Sequence, residues 1–276
     1  MPLPSRRWED LSWTDFAALD PGTIAILPVA AIEQHGPHLP VSVDADLNLG
    51  ILARALALAP PALPLIVLPI QKIGLSIEHG RFPGTLTLRP ETLLALWTEI
   101  AEGVVRAGIR KLVVFNSHGG QPQLVDILCQ RLRSTHGMLA VGASWFRLVR
   151  APDGEAALPE AERRLGIHGG AVETAMMMHL APDAVRRAEI RDFSSPWAQA
   201  PGAAQLSPVG PIGFGWETQD LHPSGAVGDA RLASPELGAG IVEGAARALV
   251  GLLEEVHRFD LSALLREGPS AGVGHG

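Results

Sequence analysis

Three short, predominantly apolar runs, 24–29, 63–70 and 111–115, the last opened by Lys111, restrict this chain more than any other feature. Each is shorter than an ordinary helix and apolar on both sides, the pattern of a strand buried on both faces of a parallel sheet. Loops rich in glycine and proline follow them, and helices are expected after the loops over 45–58, 90–107 and 122–134. Leu93, Leu96, Trp97, Ile100 and Val104 share one face of the second helix. A fourth strand is expected over 139–145, a closing helix over 235–256, and a short helix over 13–19 with Ser12 as its N-cap. Strand, helix, strand in this order implies right-handed crossovers and an α/β fold, a largely parallel central sheet flanked by helices. At 47% hydrophobic, the 276 residues suffice for one such domain, with its core over about 20–260.

Charged residues make up 18% of the chain and the formal net charge is -7, so no basic face is available for a phosphate backbone and nucleic acid is not an expected partner. No run approaches the roughly 18 apolar residues that span a bilayer, and the N-terminus lacks an apolar signal core; a cytoplasmic protein with no membrane partner is expected. Cys129 is the single cysteine, excludes an internal disulfide, and falls in a helical run as a small core residue. The tail over 268–276 is expected to be disordered. Nucleotide binding is disfavoured, because no Gly-x-Gly-x-x-Gly follows the first strand.

The chemistry lies in the loops after the strands, at the end of an open α/β sheet where ligands collect. After the first strand comes Glu33-Gln34-His35-Gly36-Pro37-His38-Leu39-Pro40, and then Asp44. Glu33 and His35 are two apart, so an extended backbone points both to one side. Asp44 opens a helix whose N-terminal dipole favours a carboxylate. Histidine with carboxylate suits zinc, manganese or iron(II) better than calcium or magnesium. The alternative is a solvated loop with one capping aspartate. Ser76, Glu78 and His79 sit in a glycine-rich loop over 74–88 placed for substrate contacts, or for satisfying turn amides. The third strand delivers Asn116-Ser117-His118-Gly119-Gly120 to the same end. His168-Gly169-Gly170 enters a helix with Glu173 in its first turn, where a carboxylate could face a cation, while Met176 to Met178 read as core. Residues 148–165 read as a flap, and 194–228 as an excursion over one end of the sheet.

These segments, in this order, together with Phe82-Pro83-Gly84-Thr85 and Gly225-Ala226-Val227-Gly228-Asp229, resemble the creatininase family of metal-dependent amidohydrolases. The resemblance implies an α/β sandwich of Rossmann-like arrangement, two metal ions per chain, hydrolysis of an amide or other C–N bond in a small molecule, and a homohexamer. It makes Glu33 and His118 ligands of one ion, His35 a ligand of the other, Asp44 the bridge between them, and His168 the proton-transfer group. The chain departs from creatininases proper at three places. Gly120 stands where they carry a metal-binding glutamate, Gly119 where they carry a substrate-contacting tyrosine, and Arg164 and Leu165 where a tryptophan and an aspartate precede the histidine. Creatinine specificity is therefore not expected, and Glu173 is expected to supply the ligand that Gly120 cannot. Gly119, Gly120 and Arg164 are expected to face the substrate, the guanidinium meeting an anionic group. Members with His-Gly-Gly include the formamide hydrolase of archaeal flavin and deazaflavin biosynthesis and the peptidase that matures mycofactocin. The expected reaction is attack of an ion-activated hydroxide on an amide carbonyl, with His168 protonating the departing nitrogen. The alternative of another class is a non-catalytic subunit that binds a metabolite on the same fold.

Overall fold

The structure, a computed structural model, describes residues 4–148, 158–199, 206–209 and 212–264. The expected disordered tail lies outside these residues, as do parts of the expected flap and excursion. Strands β1 (Ile24–Val29), β2 (Leu65–Val67), β3 (Lys111–Asn116) and β4 (Leu139–Ser144) form a parallel sheet in the order β2-β1-β3-β4. Its register pairs Ile24 with both Leu65 and Lys111, and Lys111 with Leu139. The helices are α1 (Trp13–Phe16), α2 (Val43–Leu58), α3 (Pro90–Arg106), α4 (Pro122–His136), α5 (Trp145–Leu148), α6 (Glu160–Leu165), α7 (Ala171–Leu180), α8 (Thr218–Leu221) and α9 (Pro235–Arg258). Two residue pairs, β5 (Asp192–Phe193) and β6 (Gly228–Asp229), join antiparallel.

Two elements end earlier than the apolar runs suggest. Pro64 and Pro69, which have no N–H to give a ladder, bracket β2 and hold it to three residues. The fourth strand stops at Ser144, and Trp145 opens α5 with its ring buried.

Every residue of β1 is buried, and the faces alternate with period two. Ile24, Ile26, Val113 and Phe115 pack with α2, α7 and α9 on one side. Ala25, Leu27, Val29, Leu112 and Val114 pack with α3 and α4 on the other, where Cys129 borders the core. The chain leaves β1 for β2 on one side and returns to place β3 on the other, so the crevice of this sheet opens between the carboxyl ends of β1 and β3. Asn48 on α2 ties those ends together, its amide donating to the Val29 carbonyl at 3.1 Å and the Phe115 carbonyl at 3.0 Å. Among the described residues no helix is long and apolar enough to cross a membrane.

At the opposite end of β3 the Lys111 ammonium donates to the carbonyls of Val256, His257 and Phe259 at 2.9, 2.7 and 2.9 Å. These are carbonyls at the C-terminus of α9 that no helical N–H can reach, and a cation there also complements the helix dipole. Lys111→Met keeps the stem and removes the donors. Chemical denaturation of this variant should show a loss of about 2 kcal/mol, the scale of hydrogen bonds to a charged group. A loss below about 0.5 kcal/mol would show that water caps α9 equally well.

Candidate metal centre

The loop leaving β1 is fixed by the backbone before any side chain acts. Glu33 N–H donates to the Val41 carbonyl at 3.0 Å, Ile32 bridges to Leu86, and His35 bridges to Leu39. Gly36 turns the chain at φ 72°, where a Cβ would also lie 2.7 Å from that of Ala226. Glu33 and His35 thereby point into the crevice, both about 1% exposed. The His35 Nδ1–H donates to the Glu33 carbonyl at 3.0 Å, which leaves Nε2 as a lone pair 4.0 Å from both Glu33 Oε1 and Asp44 Oδ2. Asp44 reaches the same point from the first turn of α2.

His118 arrives from β3 on a loop shaped by Asn116, whose amide donates to the His118 carbonyl and whose oxygen accepts the His118 N–H. Its Nε2–H donates to the Leu75 carbonyl at 2.7 Å, and its Nδ1 lies 3.2 Å from Glu33 Oε1 and 3.6 Å from Asp44 Oδ2. His168 donates from Nε2 to the Gln34 carbonyl at 2.6 Å, so Nδ1 is its free nitrogen, 3.7 Å from Glu33. Glu173 lies on the first turn of α7; its Oε2 accepts the Gly169 N–H at 2.6 Å and stands 3.8 Å from His35 Nε2. Glu173 is thus both a partner of the helix entry and a wall of the site.

Gln34, between Glu33 and His35, points away from both. Its amide nitrogen donates to the Gly225 carbonyl and its oxygen accepts the Gly36 N–H, each at 2.9 Å. The same nitrogen meets His79 Nδ1 at 2.8 Å, so His79 presents an Nε2–H to Glu33 Oε1 at 3.3 Å. Glu162 on α6 closes the back, accepting the Ala171 N–H at 2.8 Å and the Asp229 N–H at 2.7 Å and so joining α6, the His168 loop and β6.

A cavity of about 140 Å³ opens over this cluster, floored by Glu33, Asp44 and His118 and flanked by Glu78, His79, Gly119, Gly120, His168 and Glu173. Ser76 does not line it, since its hydroxyl is fully buried behind the Glu78 turn. Arg164 does not line it either; it projects exposed from α6, because Glu162 two residues earlier takes the inward face of that helix. Ile167, Val209 and Trp216 form the mouth, and the Trp216 ring is held by its N–H donating to the Pro208 carbonyl at 2.8 Å.

The electrostatics show what this cluster lacks. Among the described residues no hydrogen-bond partner is aligned with either oxygen of Glu33, with Asp44 Oδ2 or with His35 Nε2. Burial, and behind it the Glu33 charge, pushes the Asp44 carboxyl well above its ordinary value. Burial also works against the Glu33 carboxylate, yet His118 beside it, helped by His79 and His168, holds it well below the usual range. Burial opposes the charged form of His118, but Glu33, Asp44 and Glu78 carry it up to about 10. Burial, with His168 next, sends His35 well below its ordinary value and His79 down to about 3. The site is rich in anionic oxygen and neutral imidazole, and protons hold places that a divalent cation fills better.

The profile described as creatininase, creatinine amidohydrolase, matches residues 9–253. The chain belongs to the creatininase family. Its creatininase relatives include the creatinine amidohydrolase of Pseudomonas putida, 31% identical over 190 residues that cover 64% of this chain and 72% of that protein. The mycofactocin precursor peptide peptidase of Mycolicibacterium smegmatis is 27% identical over 199 residues, covering 69% of this chain and 74% of its own. A crystal structure of creatinine amidohydrolase superposes with a TM-score of 0.73 at 26% identity, over 93% of this chain and 100% of that one. The α/β fold read from the apolar runs is the fold of this neighbour, and this creatininase-family protein is a hydrolase acting on C–N bonds. Its buried histidine and carboxylate clusters suit a divalent metal.

Proposed function

We propose that the protein is a two-metal hydrolase of an amide or related C–N bond in a substrate larger than creatinine. The reading is carried by the acceptor atoms of Glu33, His35 and Asp44, which gather within 4.8 Å of one another with no aligned hydrogen-bond partner among the described residues. Glu33 and His118 would hold one ion, His35 and Glu173 the other, with Asp44 between; zinc, manganese and iron(II) all accept such nitrogen and oxygen donors. When bound, such a pair supplies an acidified water and polarises a carbonyl.

The chain's own residues do the rest. His35 and His118 each commit one N–H to a backbone carbonyl, which fixes the ring and leaves the other nitrogen as donor to an ion. His168 is held by the Gln34 carbonyl in the tautomer whose free Nδ1 faces the cavity, the nitrogen that would carry a proton to the departing amine. His79 offers its Nε2–H to the same space and can orient a carbonyl. Gly119 leaves an open floor, since a Cβ there would meet nothing within 4 Å, and Trp216 and Val209 give the mouth an apolar rim. A formamide or a peptide amide fits this opening better than a compact ring that needs framing side chains. A cytoplasmic homohexamer belongs to the same reading, and light scattering tests the assembly.

Protein purified without chelator should carry about two transition-metal ions per chain, as a two-metal site requires. It should turn over members of a panel of formamides and short peptides at least about a hundredfold faster than creatinine, the scale at which lost positioning contacts discriminate. Creatinine turnover at the rate of the best substrate would overturn the specificity, and absence of bound transition metal would overturn the two-metal reading.

A further inference from the structure

Glu78 is a carboxylate that neither the helix caps nor the ion pairs of the surface account for. It lies on the 3-10 turn Ile77–His79, its side chain 13% exposed, with Oε1 3.5 Å from His118 Nε2 and 4.0 Å from His79 Nε2. Among the described residues no lysine or arginine lines the cavity it faces. It stands against Gly120: a Cβ built there would lie 2.0 Å from Glu78 Oε1 and 3.0 Å from its Cδ. Gly120 is not among the glycines with positive φ, so its backbone conformation does not call for glycine. The absent side chain instead makes room for the Glu78 carboxylate and for the His118 ring, whose Nε2 would lie 2.5 Å from a Cβ there.

We infer that Glu78 is a direct ligand of the ion held by Glu33 and His118, delivered across Gly120. Donor atoms of Glu33, Glu78 and His118 lie within 4.8 Å of one another, a spacing that bonds of about 2.0–2.2 Å to a shared ion nearly close. Charge points the same way. Four carboxylates, Glu33, Asp44, Glu78 and Glu173, gather around one small cavity that no described lysine or arginine lines, and two divalent ions would balance them. The glycine at 120 and the glutamate at 78 are therefore one device, the first giving the second its space. Each ion then receives carboxylate from two segments of the chain, one set around His118 and the other around His35. The inference rests on the two-metal reading above.

The test titrates chelator-stripped protein with Zn2+ against a chromophoric chelator. Wild type should bind about two ions. Glu78→Gln, isosteric and checked for folding by circular dichroism, should lose affinity at one of the two sites by at least about a hundredfold and keep the other, since even outer partners of a metal ligand are worth 10–100-fold. Gly120→Ala retains every proposed ligand but crowds both the Glu78 carboxylate and the His118 ring, and should weaken the site they share. Glu78→Ala combined with Gly120→Glu returns a carboxylate to the same volume and should recover most of the loss. If Glu78→Gln binds both ions as wild type does and only KM rises, Glu78 is a substrate contact and the inference fails while the two-metal reading stands. If wild type itself binds no Zn2+, the two-metal reading fails first.

Discussion

Asp44→Asn should fold, lose tight binding of both ions together, and lower kcat/KM by about a thousandfold or more, the scale of removing preorganised stabilisation of a developing charge. Asp44 Oδ2 lies 3.6 Å from His118 Nδ1 and 4.0 Å from His35 Nε2, between the two histidines and, among the described residues, with no aligned donor of its own. A carboxylate in that position can serve two ions at once, whereas a carboxamide is a weaker cation ligand of the same size. The fold should tolerate the change because burial beside Glu33 already disfavours the charged form of Asp44, and Asn keeps its size and the packing of α2. The thermal readout separates the roles. A ligand at a thousand times its Kd stabilises the folded state by about 4 kcal/mol, so wild type should melt higher when Zn2+ or Mn2+ is added and the variant should not. Full metal content in Asp44→Asn would remove this residue from the centre. Loss of one ion alone would make it a terminal ligand of that ion instead of a bridge.

How far the sequence revealed this site depends on how local each signal is. The apolar runs at β1 and β3 mark buried strands, and a parallel sheet aims whatever follows such strands at one edge. That is why Glu33, His35, Asp44 and His118, scattered over 86 positions, can be grouped before any coordinates are seen. Glu162 is different. It reads as one acid in a polar flap, and its two backbone partners, Ala171 at the start of α7 and Asp229 in β6, come from separate elements that no periodicity links. Arg164 draws attention by replacing a residue with a known role, yet helical spacing from Glu162 turns it outward. Trp216 and Val209 belong to a stretch rich in proline and glycine, without a repeat to say which side chains face inward. The fit between Glu78 and Gly120 is invisible in either residue alone, because it consists in two segments sharing one volume. Strand ends betray themselves where proline removes an N–H, as at Pro64 and Pro69, but only if proline is weighed above the hydrophobicity around it.

Gly238→Ala should be among the most damaging single methyl additions to this protein, although the residue lies on α9 and not in the site. A Cβ there would stand 1.9 Å from the Ala175 carbonyl oxygen, 2.4 Å from its carbon and 2.8 Å from Met176 N. These are backbone atoms in the body of α7, so no side chain can rotate away and the two helices must part by about 1.5 Å to reach ordinary contact. Overpacking of this kind costs about 1–3 kcal/mol when side chains can adjust, so about 3 kcal/mol is expected here, a fall in Tm of roughly 6–12 °C for a chain of this size. Gly244 and Gly251 on the same helix are the controls. A Cβ at either meets nothing within 4 Å, and alanine there should stabilise by about 0.5–1 kcal/mol through helix propensity. The functional consequence follows from what α7 carries. Glu173 lies two residues before Ala175 on that helix, and His168 is on the loop that enters it, so a displacement of about 1 Å takes both off target and can cost a hundredfold in rate. Gly238→Ala assayed well below its Tm should therefore lose far more activity than folded protein, and should bind one ion as tightly as wild type and the other more weakly. Equal losses of activity and of folded fraction would mean that α7 yields by local unfolding instead of moving as a body, and that the site survives in every molecule that remains folded.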